Sequence, residues 1–287
     1  MAEAASDLRF DLVVATVERT DDLDSLLASL DAQTHRSFRV TVVDQNDDDR
    51  LEQVLAAHPG LDAVRLRSVR GLSRARNAAL PSLTADVVAF PDDDCVYAPD
   101  LLARVAERFA ADPGLDGLGG RPAAADGRTT GRWPSRAQRI RPETVFHTVI
   151  SHTVFLRRST VDRVGGFDER LGLGSGTPWS SGEEIDLLVR ALRAGARVEY
   201  DPGLVITHPV KTPSPEERVA LGRRDGGSLG YVLAANRYPA GTILRLLVRP
   251  LVASVAFAVL LDRTRARFQL ATLGGRLRGL RAGRRRR

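Results

Sequence analysis

Three consecutive acids, Asp92, Asp93 and Asp94, follow the apolar run Val87-Val88-Ala89-Phe90 and Pro91. Carboxylates at such a point are suited to hold a divalent cation. Asp92 and Asp94 would supply hard oxygen ligands and leave positions open on Mg²⁺ or Mn²⁺ for diphosphate oxygens and water. A cation there implies a phosphate-bearing ligand. The same acids also fit a solvated turn ahead of a helix starting near Pro99, so the surrounding elements have to decide. The apolar run reads as a buried strand that the proline ends, which puts the acids where the strand leaves the core. Open α/β sheets bind ligands at that edge.

The elements upstream have the order such an edge requires. Phe10 to Val14 forms a strand candidate, and Leu23, Leu26, Leu27 and Leu30 recur at helical spacing. A second strand, Phe38 to Val43, ends at Asp44. Leu51, Val54 and Leu55 mark another helix, Val64 to Leu66 a third strand, and Ser73 to Leu80 a helix rich in alanine and arginine. By Phe90 the order is β-α-β-α-β-α-β, which calls for an α/β fold with a mostly parallel sheet covered by helices. Right-handed crossovers put Asp44 and Asp92 on one rim.

The chain resembles the GT-A fold (Rossmann-like) glycosyltransferases of family 2, which use nucleotide-activated sugars. The resemblance covers about 10 to 240, and its pieces come in the family's order. They are "VVATVERTDDLDSLLASLDAQTHRSFRVTVVDQND", "GLSRARNAAL" at 71 to 80, "VVAFPDDDC" at 87 to 95, "VGGFDERLG" at 164 to 172 and "SGEEIDLLVRALRAG" at 181 to 195. On this resemblance, residues 1 to 240 form the catalytic domain, with a nucleotide-binding half at about 8 to 97 and an acceptor half at about 98 to 240.

The resemblance also implies site residues. Asp44 matches the acid that accepts a hydrogen bond from the nucleobase, and Gln45 stands where the family usually has a second acid. A carboxylate suits an N–H donor on uracil, thymine or guanine, so UDP, dTDP and GDP donors all remain open. Thr16 and Glu18 match the first loop lining the nucleotide. Arg74 and Arg76, beside Asn77, match a segment near the base and phosphates, where guanidinium forks fit diphosphate oxygens; on an exposed helix face they would serve solubility instead. Asp92 and Asp94 match the outer letters of the DxD signature, with Asp94 the more direct metal ligand, and Asp93 is the middle letter facing the sugar or solvent. His208, after the apolar Leu204-Val205-Ile206, sits where related enzymes sometimes turn a histidine to the metal or diphosphate, although a histidine after a strand is more often structural.

For catalysis the family usually shows Glu-Asp, and this chain has Glu183-Glu184, followed by Asp186. In an inverting transferase one carboxylate takes the proton of the acceptor hydroxyl as its oxygen attacks the anomeric carbon opposite the leaving diphosphate. Glu184 occupies the position of the base and Glu183 is its rival. Both also suit the N-terminal dipole of a helix over Ile185 to Ala194. Trp179, in the loop "GLGSGTPWSSG", offers a face for stacking on a sugar or a plug beneath the loop. His152 and Asp186 are expected on the acceptor side with it. The acceptor is expected to be a glycan or a lipid-linked precursor. The family's processive synthases carry a QxxRW segment and several membrane-spanning helices, whose absence from the sequence speaks for transfer of a single sugar.

Charge is unevenly distributed. Residues 241 to 287 hold twelve arginines and one acid, Asp262, a net of +11, whereas the whole chain of 287 residues carries +6. The body is therefore acidic and the tail basic. Ile243 to Leu261 is largely apolar, broken by Arg245, Arg249 and Pro250, which suggests an interfacial or re-entrant helix followed by arginines on anionic headgroups. Asp7, Asp11 and Glu18 interrupt the early apolar runs, so no signal peptide is expected and the enzyme is placed in the cytoplasm at the inner face of the plasma membrane. The single cysteine, Cys95, excludes an intramolecular disulfide. A different class, an anionic-surface or nucleic-acid binder with a non-catalytic body, would explain the terminal arginines. The acidic body and scarce aromatics speak against nucleic acid.

Overall fold

The computed structural model describes residues 7–129, 131–210 and 212–284; arginines 285 to 287 of the basic tail lie outside the described residues. In chain order the elements are β1 (Phe10–Thr16), α1 (Asp21–Asp31), β2 (Phe38–Asp44), α2 (Leu51–Ala56), β3 (Ala63–Arg67), α3 (Leu72–Ala79), β4 (Val87–Ala89), α4 (Leu101–Ala111), β5 (Gly117–Ala123), β6 (Gln138–Arg139), β7 (Val154–Arg157), α5 (Arg158–Val164), α6 (Glu183–Arg193), β8 (Val198–Thr207), α7 (Pro215–Ala235), α8 (Ala240–Val259) and α9 (Arg263–Arg284). The chain divides into two compact units. The first comprises the chain up to Arg70, Arg74–Phe167 and Leu187–Val210; the second comprises Gly71–Ser73, Asp168–Asp186 and the chain from 211 onward. The boundary at 240 expected from the sequence falls inside the second unit.

The first unit holds one eight-stranded sheet of order β3-β2-β1-β4-β7-β5-β8-β6. β3, β2, β1 and β4 run parallel, as do β5 and β8, while β7 runs antiparallel to both β4 and β5. β1 is central, and Leu12, Val13 and Val14 are all fully buried, as expected of a strand covered on both faces. On α1, Leu23, Leu26, Leu27 and Leu30 are fully buried, and they share a core with Phe10, Leu12, Val40, Val42 and the α4 residues Leu101, Val105 and Phe109. Each such leucine contributes about 2 kcal/mol by leaving water. Asp21, Asp22 and Asp24 occupy the first turn of α1, where the helix dipole favours them. The carboxylate of Asp11, buried on β1, accepts from the backbone N–H groups of Thr84 and Ala85 at 2.7 and 2.8 Å and fixes the entry to β4.

Register sets the rim. Thr16 pairs with Asp44 at the ends of β1 and β2, and Asp92, just past β4, forms a parallel bridge to Ala15. Asp44 and Asp92 therefore leave the sheet on the same edge. Val96 bridges Thr207 in the antiparallel sense, so the acidic loop is held at the end of β1 on one side and the end of β8 on the other.

In the second unit α7 and α9 approach until their backbones touch. A Cβ added at Gly279 would fall onto the Gly227 carbonyl oxygen, and one at Gly230 onto the Arg276 carbonyl. A Gly279→Ala substitution is expected to force the helices apart and cost about 1–3 kcal/mol, read as a lowered midpoint in thermal unfolding. α7 begins with a capping box in which the Ser214 hydroxyl accepts from Glu217 N–H and the Glu217 carboxylate accepts from Ser214 N–H. α8 runs unbroken through Pro250, where the sequence suggested an interruption. Proline has no N–H to give the carbonyl one turn back, and that carbonyl, on Leu246, accepts from Arg276 Nη1 of α9 instead. α8 is long and apolar enough to cross a membrane, and most of it is exposed.

Candidate active site

β8 delivers His208 immediately after Thr207, and the His208 N–H donates to the Ala123 carbonyl at 2.9 Å. Its Nε2 lies 3.0 Å from Asp94 Oδ1. β7 returns antiparallel beside β4, and the 3-10 turn Ser151–Thr153 just before it carries His152 to the same loop. His152 Nδ1 is 2.9 Å from Asp92 Oδ2. The two imidazoles stack with centroids 4.4 Å apart and planes 2° from parallel. One donor atom from each of Asp92, His152 and His208 falls within 4.8 Å of the others. His152 Nε2 is buried without a hydrogen-bond partner, and a buried imidazole nitrogen left unpaired is costly unless a ligand uses it. A carboxylate and two imidazoles are a donor set for a first-row divalent cation, so the residues present fit such an ion.

Other cations brace the loop. Arg76, 1% exposed, donates from Nη2 to Asp92 Oδ1 at 3.1 Å, and its guanidinium lies 5.8 and 5.4 Å from the ring centres of Phe90 and Phe167, which touch edge to face. Its burial excludes the solubility role. Arg19 Nη1 donates to Asp93 Oδ1 at 2.7 Å and to Asp94 Oδ2 at 2.9 Å, while the Thr16 hydroxyl donates to Asp93 Oδ2 at 2.7 Å. Burial pushes the Asp93 carboxyl up, against Thr16 and Arg19. Burial acts the same way on Asp94, but the hydrogen bonds and charges of His208 and Arg19 outweigh it and hold Asp94 below the usual carboxylate range. His208 is raised, since Asp94 outweighs the opposing effect of burial. Cys95, behind the acids, is fully buried.

Farther along the rim, Asp44 is fully buried. Its Oδ1 accepts from Asn46 N–H at 2.9 Å and Asn46 Nδ2 at 2.7 Å, and its Oδ2 from Arg65 Nε at 2.8 Å. Asn46 Oδ1 accepts from the Glu18 N–H at 2.7 Å, and Glu18 has φ of 61°. Its carboxylate accepts from Arg70 Nη2 at 2.6 Å. Arg74 donates to the Arg70 carbonyl at 3.2 Å.

The second unit carries the other acids. Glu183, Glu184 and Asp186 form the first turn of α6 after Gly182 at φ of 82°. Glu183 and Asp186 are 4% and 5% exposed, and Glu184 is half-buried. Asp186 Oδ1 accepts from Asn236 Nδ2 at 2.7 Å. Trp179, half-buried, stacks on Tyr231 with centroids 5.6 Å apart and packs with Leu171 and Val232.

The structure thus gathers Thr16, Arg76, Asp92, Asp93, Asp94, His152 and His208 on one sheet edge, with Asp44 and Glu18 along the same rim. His152, expected on the acceptor side, instead faces Asp92, because β7 reverses direction and ends beside β4. Asp94, expected to be the more direct metal ligand, is engaged by His208 and Arg19, and Asp92 joins the histidines. Sequence reasoning missed Arg19, Arg65 and Asn46; the position of Arg19 directly beyond β1 was a signal that it reaches the rim.

Residues 11–165 match the model of glycosyl transferase family 2, over half of the chain, and the chain belongs to that family. The Pre-mycofactocin glycosyltransferase of Mycobacterium tuberculosis is 27% identical over 216 residues, covering 70% of this chain and 43% of that protein. The chain thus spans less than half the length of that relative. The Succinoglycan biosynthesis protein ExoM of Rhizobium meliloti is 27% identical over 225 residues, covering 75% of this chain and 70% of ExoM. Among solved structures, the mannosyltransferase PcManGT from Pyrobaculum calidifontis, in complex with GDP-Man and Mn²⁺, superposes with a TM-score of 0.62 at 17% identity and covers 95% of this chain and 87% of its own. S. aureus TarS 1-349 in complex with UDP-GlcNAc gives a TM-score of 0.59 at 18% identity, covering 96% and 92%. The fold is the GT-A fold.

Proposed function

We propose that this chain transfers a single sugar from a nucleotide-diphosphate sugar to a hydroxyl of a glycan or lipid-linked acceptor, with inversion at the anomeric carbon. The observation that carries this reading is the convergence of Asp92, His152 and His208 at the carboxyl edge of the parallel strands, where such sheets bind nucleotides. The GDP-Man and Mn²⁺ bound by PcManGT, and the UDP-GlcNAc bound by TarS, support a nucleotide-sugar donor and a divalent cation. Asp92, His152 and His208 would hold Mn²⁺ or Mg²⁺, with Asp94 beside them. When bound, the cation would neutralise the diphosphate as it leaves.

The residues of the chain supply the rest. Arg19, anchored on Asp93 and Asp94, offers a guanidinium to phosphate oxygens. Arg76 holds Asp92 in place from beneath. Asp44, with Thr16 and Glu18 in the first loop, is assigned to the base, and Asn46 and Arg65 hold its carboxylate. Glu184 removes the acceptor proton, being the least buried of the three acids at the start of α6, while Asp186 is tied to Asn236. Trp179 and Asp186 shape the acceptor side.

Release of free nucleoside diphosphate from a panel of UDP-, GDP- and dTDP-sugars, with Mn²⁺ and an acceptor extract, tests this reading. One donor class is expected to be consumed, and NMR of the first product is expected to show the anomeric configuration opposite to the donor's. Consumption of no donor by folded protein would favour the anionic-surface binder, and retained configuration would overturn inversion.

A further inference from the structure

We propose that the α8–α9 hairpin is a docking surface for an anionic lipid bilayer, with α8 lying in the plane of the membrane and its outward face entering the acyl boundary. This goes beyond the transfer reaction and stands whether or not the donor site is active.

The two faces of α8 are sharply different. Leu246, Pro250 and Ser254 are buried, and on the opposite side Leu244, Val248, Leu251, Val255 and Val259 are between 42% and 76% exposed. Of the fourteen large apolar side chains exposed among the described residues, eight fall between 244 and 261. A patch that contiguous marks an interaction surface. Arg245 and Arg249 are exposed and follow Leu244 and Val248 by one residue, so they flank the apolar face.

α9 decides the orientation. Twenty residues of helix are about 30 Å long, enough to cross the hydrocarbon core. But α9 runs back along α8, with Arg276 bonded to the Leu246 carbonyl and the Arg265 guanidinium 5.5 Å from the Phe257 ring centre. A crossing α8 would carry Arg267, Arg276 and Arg278 into the bilayer, each at about a hundredfold penalty near its centre. Lying flat, α8 buries only its apolar face and leaves the arginines at headgroup level.

Charge identifies the occupant. The two helices and their connection carry nine arginines among the described residues against one acid, Asp262. That suits anionic headgroups. A second copy of this chain on the same face would bring Arg245 and Arg249 against their own kind.

The test is sedimentation of the full chain with phosphatidylcholine vesicles, with and without phosphatidylglycerol. Binding is expected only with phosphatidylglycerol, weakening as salt rises. The Val248→Glu/Val255→Glu variant and the Arg245→Glu/Arg249→Glu variant should each bind at least about tenfold more weakly, with circular dichroism and elution volume unchanged. A Leu251→Trp variant, which keeps the surface apolar, should be quenched best by lipids brominated near the head of the acyl chain. Equal binding to neutral vesicles, unaltered binding of folded glutamate variants, or a dimer through this face that ignores vesicles would overturn the docking surface. Quenching best by bromines at the chain end would overturn the in-plane orientation.

Discussion

The Glu184→Gln variant is expected to bind donor nucleotide as the wild type does and to transfer sugar about a hundredfold to ten-thousandfold more slowly, the usual range for loss of a general base. The substitution preserves size and hydrogen-bonding reach but removes the group that accepts the hydroxyl proton. Glu184 carries this expectation because it occupies the position of the family's usual base and is the least buried of the three acids. Glu183 is 4% exposed, and Asp186 is 5% exposed and accepts from Asn236. Glutamate also places its carboxylate about one bond length beyond the family's usual aspartate, and near-attack geometry is sensitive to that distance. Glu184→Asp should therefore keep the acid and lose part of the rate. Single-turnover rates beside nucleotide titration separate chemistry from binding. Normal turnover in Glu184→Gln would move the base to Glu183.

The second large effect is expected at His152. Its Nδ1 lies 2.9 Å from Asp92 Oδ2, and one donor atom of each falls within 4.8 Å of the other and of one on His208. Loss of outer partners of metal ligands typically costs 10- to 100-fold in metal affinity. Loss of a ligand itself should reach the top of that range or pass it. His152→Ala and Asp92→Asn are each expected to remove the Mn²⁺ dependence of nucleotide binding, by about a hundredfold or more in affinity. Ser151→Ala, which removes only a 3.4 Å contact to Asp92, should change little. Comparable losses in Ser151→Ala and His152→Ala would point to general loosening of the loop rather than to a lost ligand.

The nucleotide half was legible because its information is local. β2 is a short apolar run that stops at Asp44 and β4 one that stops before Pro91, and the Thr16–Asp44 register and the Ala15–Asp92 bridge follow once the strands are parallel. The leucines of α1 announced their buried face by spacing alone. What the sequence hid depends on chain reversal. His152 is sixty residues from Asp92, and only the antiparallel return of β7 brings them together. The burial of Arg76 depends on Phe167 closing over a guanidinium that alone reads as a surface charge. Pro250 reads as a helix stop until Arg276, on the next helix, supplies the bond that proline cannot. Trp179 offered a sugar platform or a plug, and its stacking on Tyr231 depends on a helix far along the chain.

The most direct test of the central claim, that Asp92, His152 and His208 hold a cation for a diphosphate, is calorimetric titration of the full chain with UDP, GDP and dTDP, each with and without Mn²⁺. The account predicts that one nucleotide binds, that it needs the metal, and that Asp92→Asn abolishes the dependence. Binding indifferent to Mn²⁺, or no binding of any of them to folded protein, would contradict it.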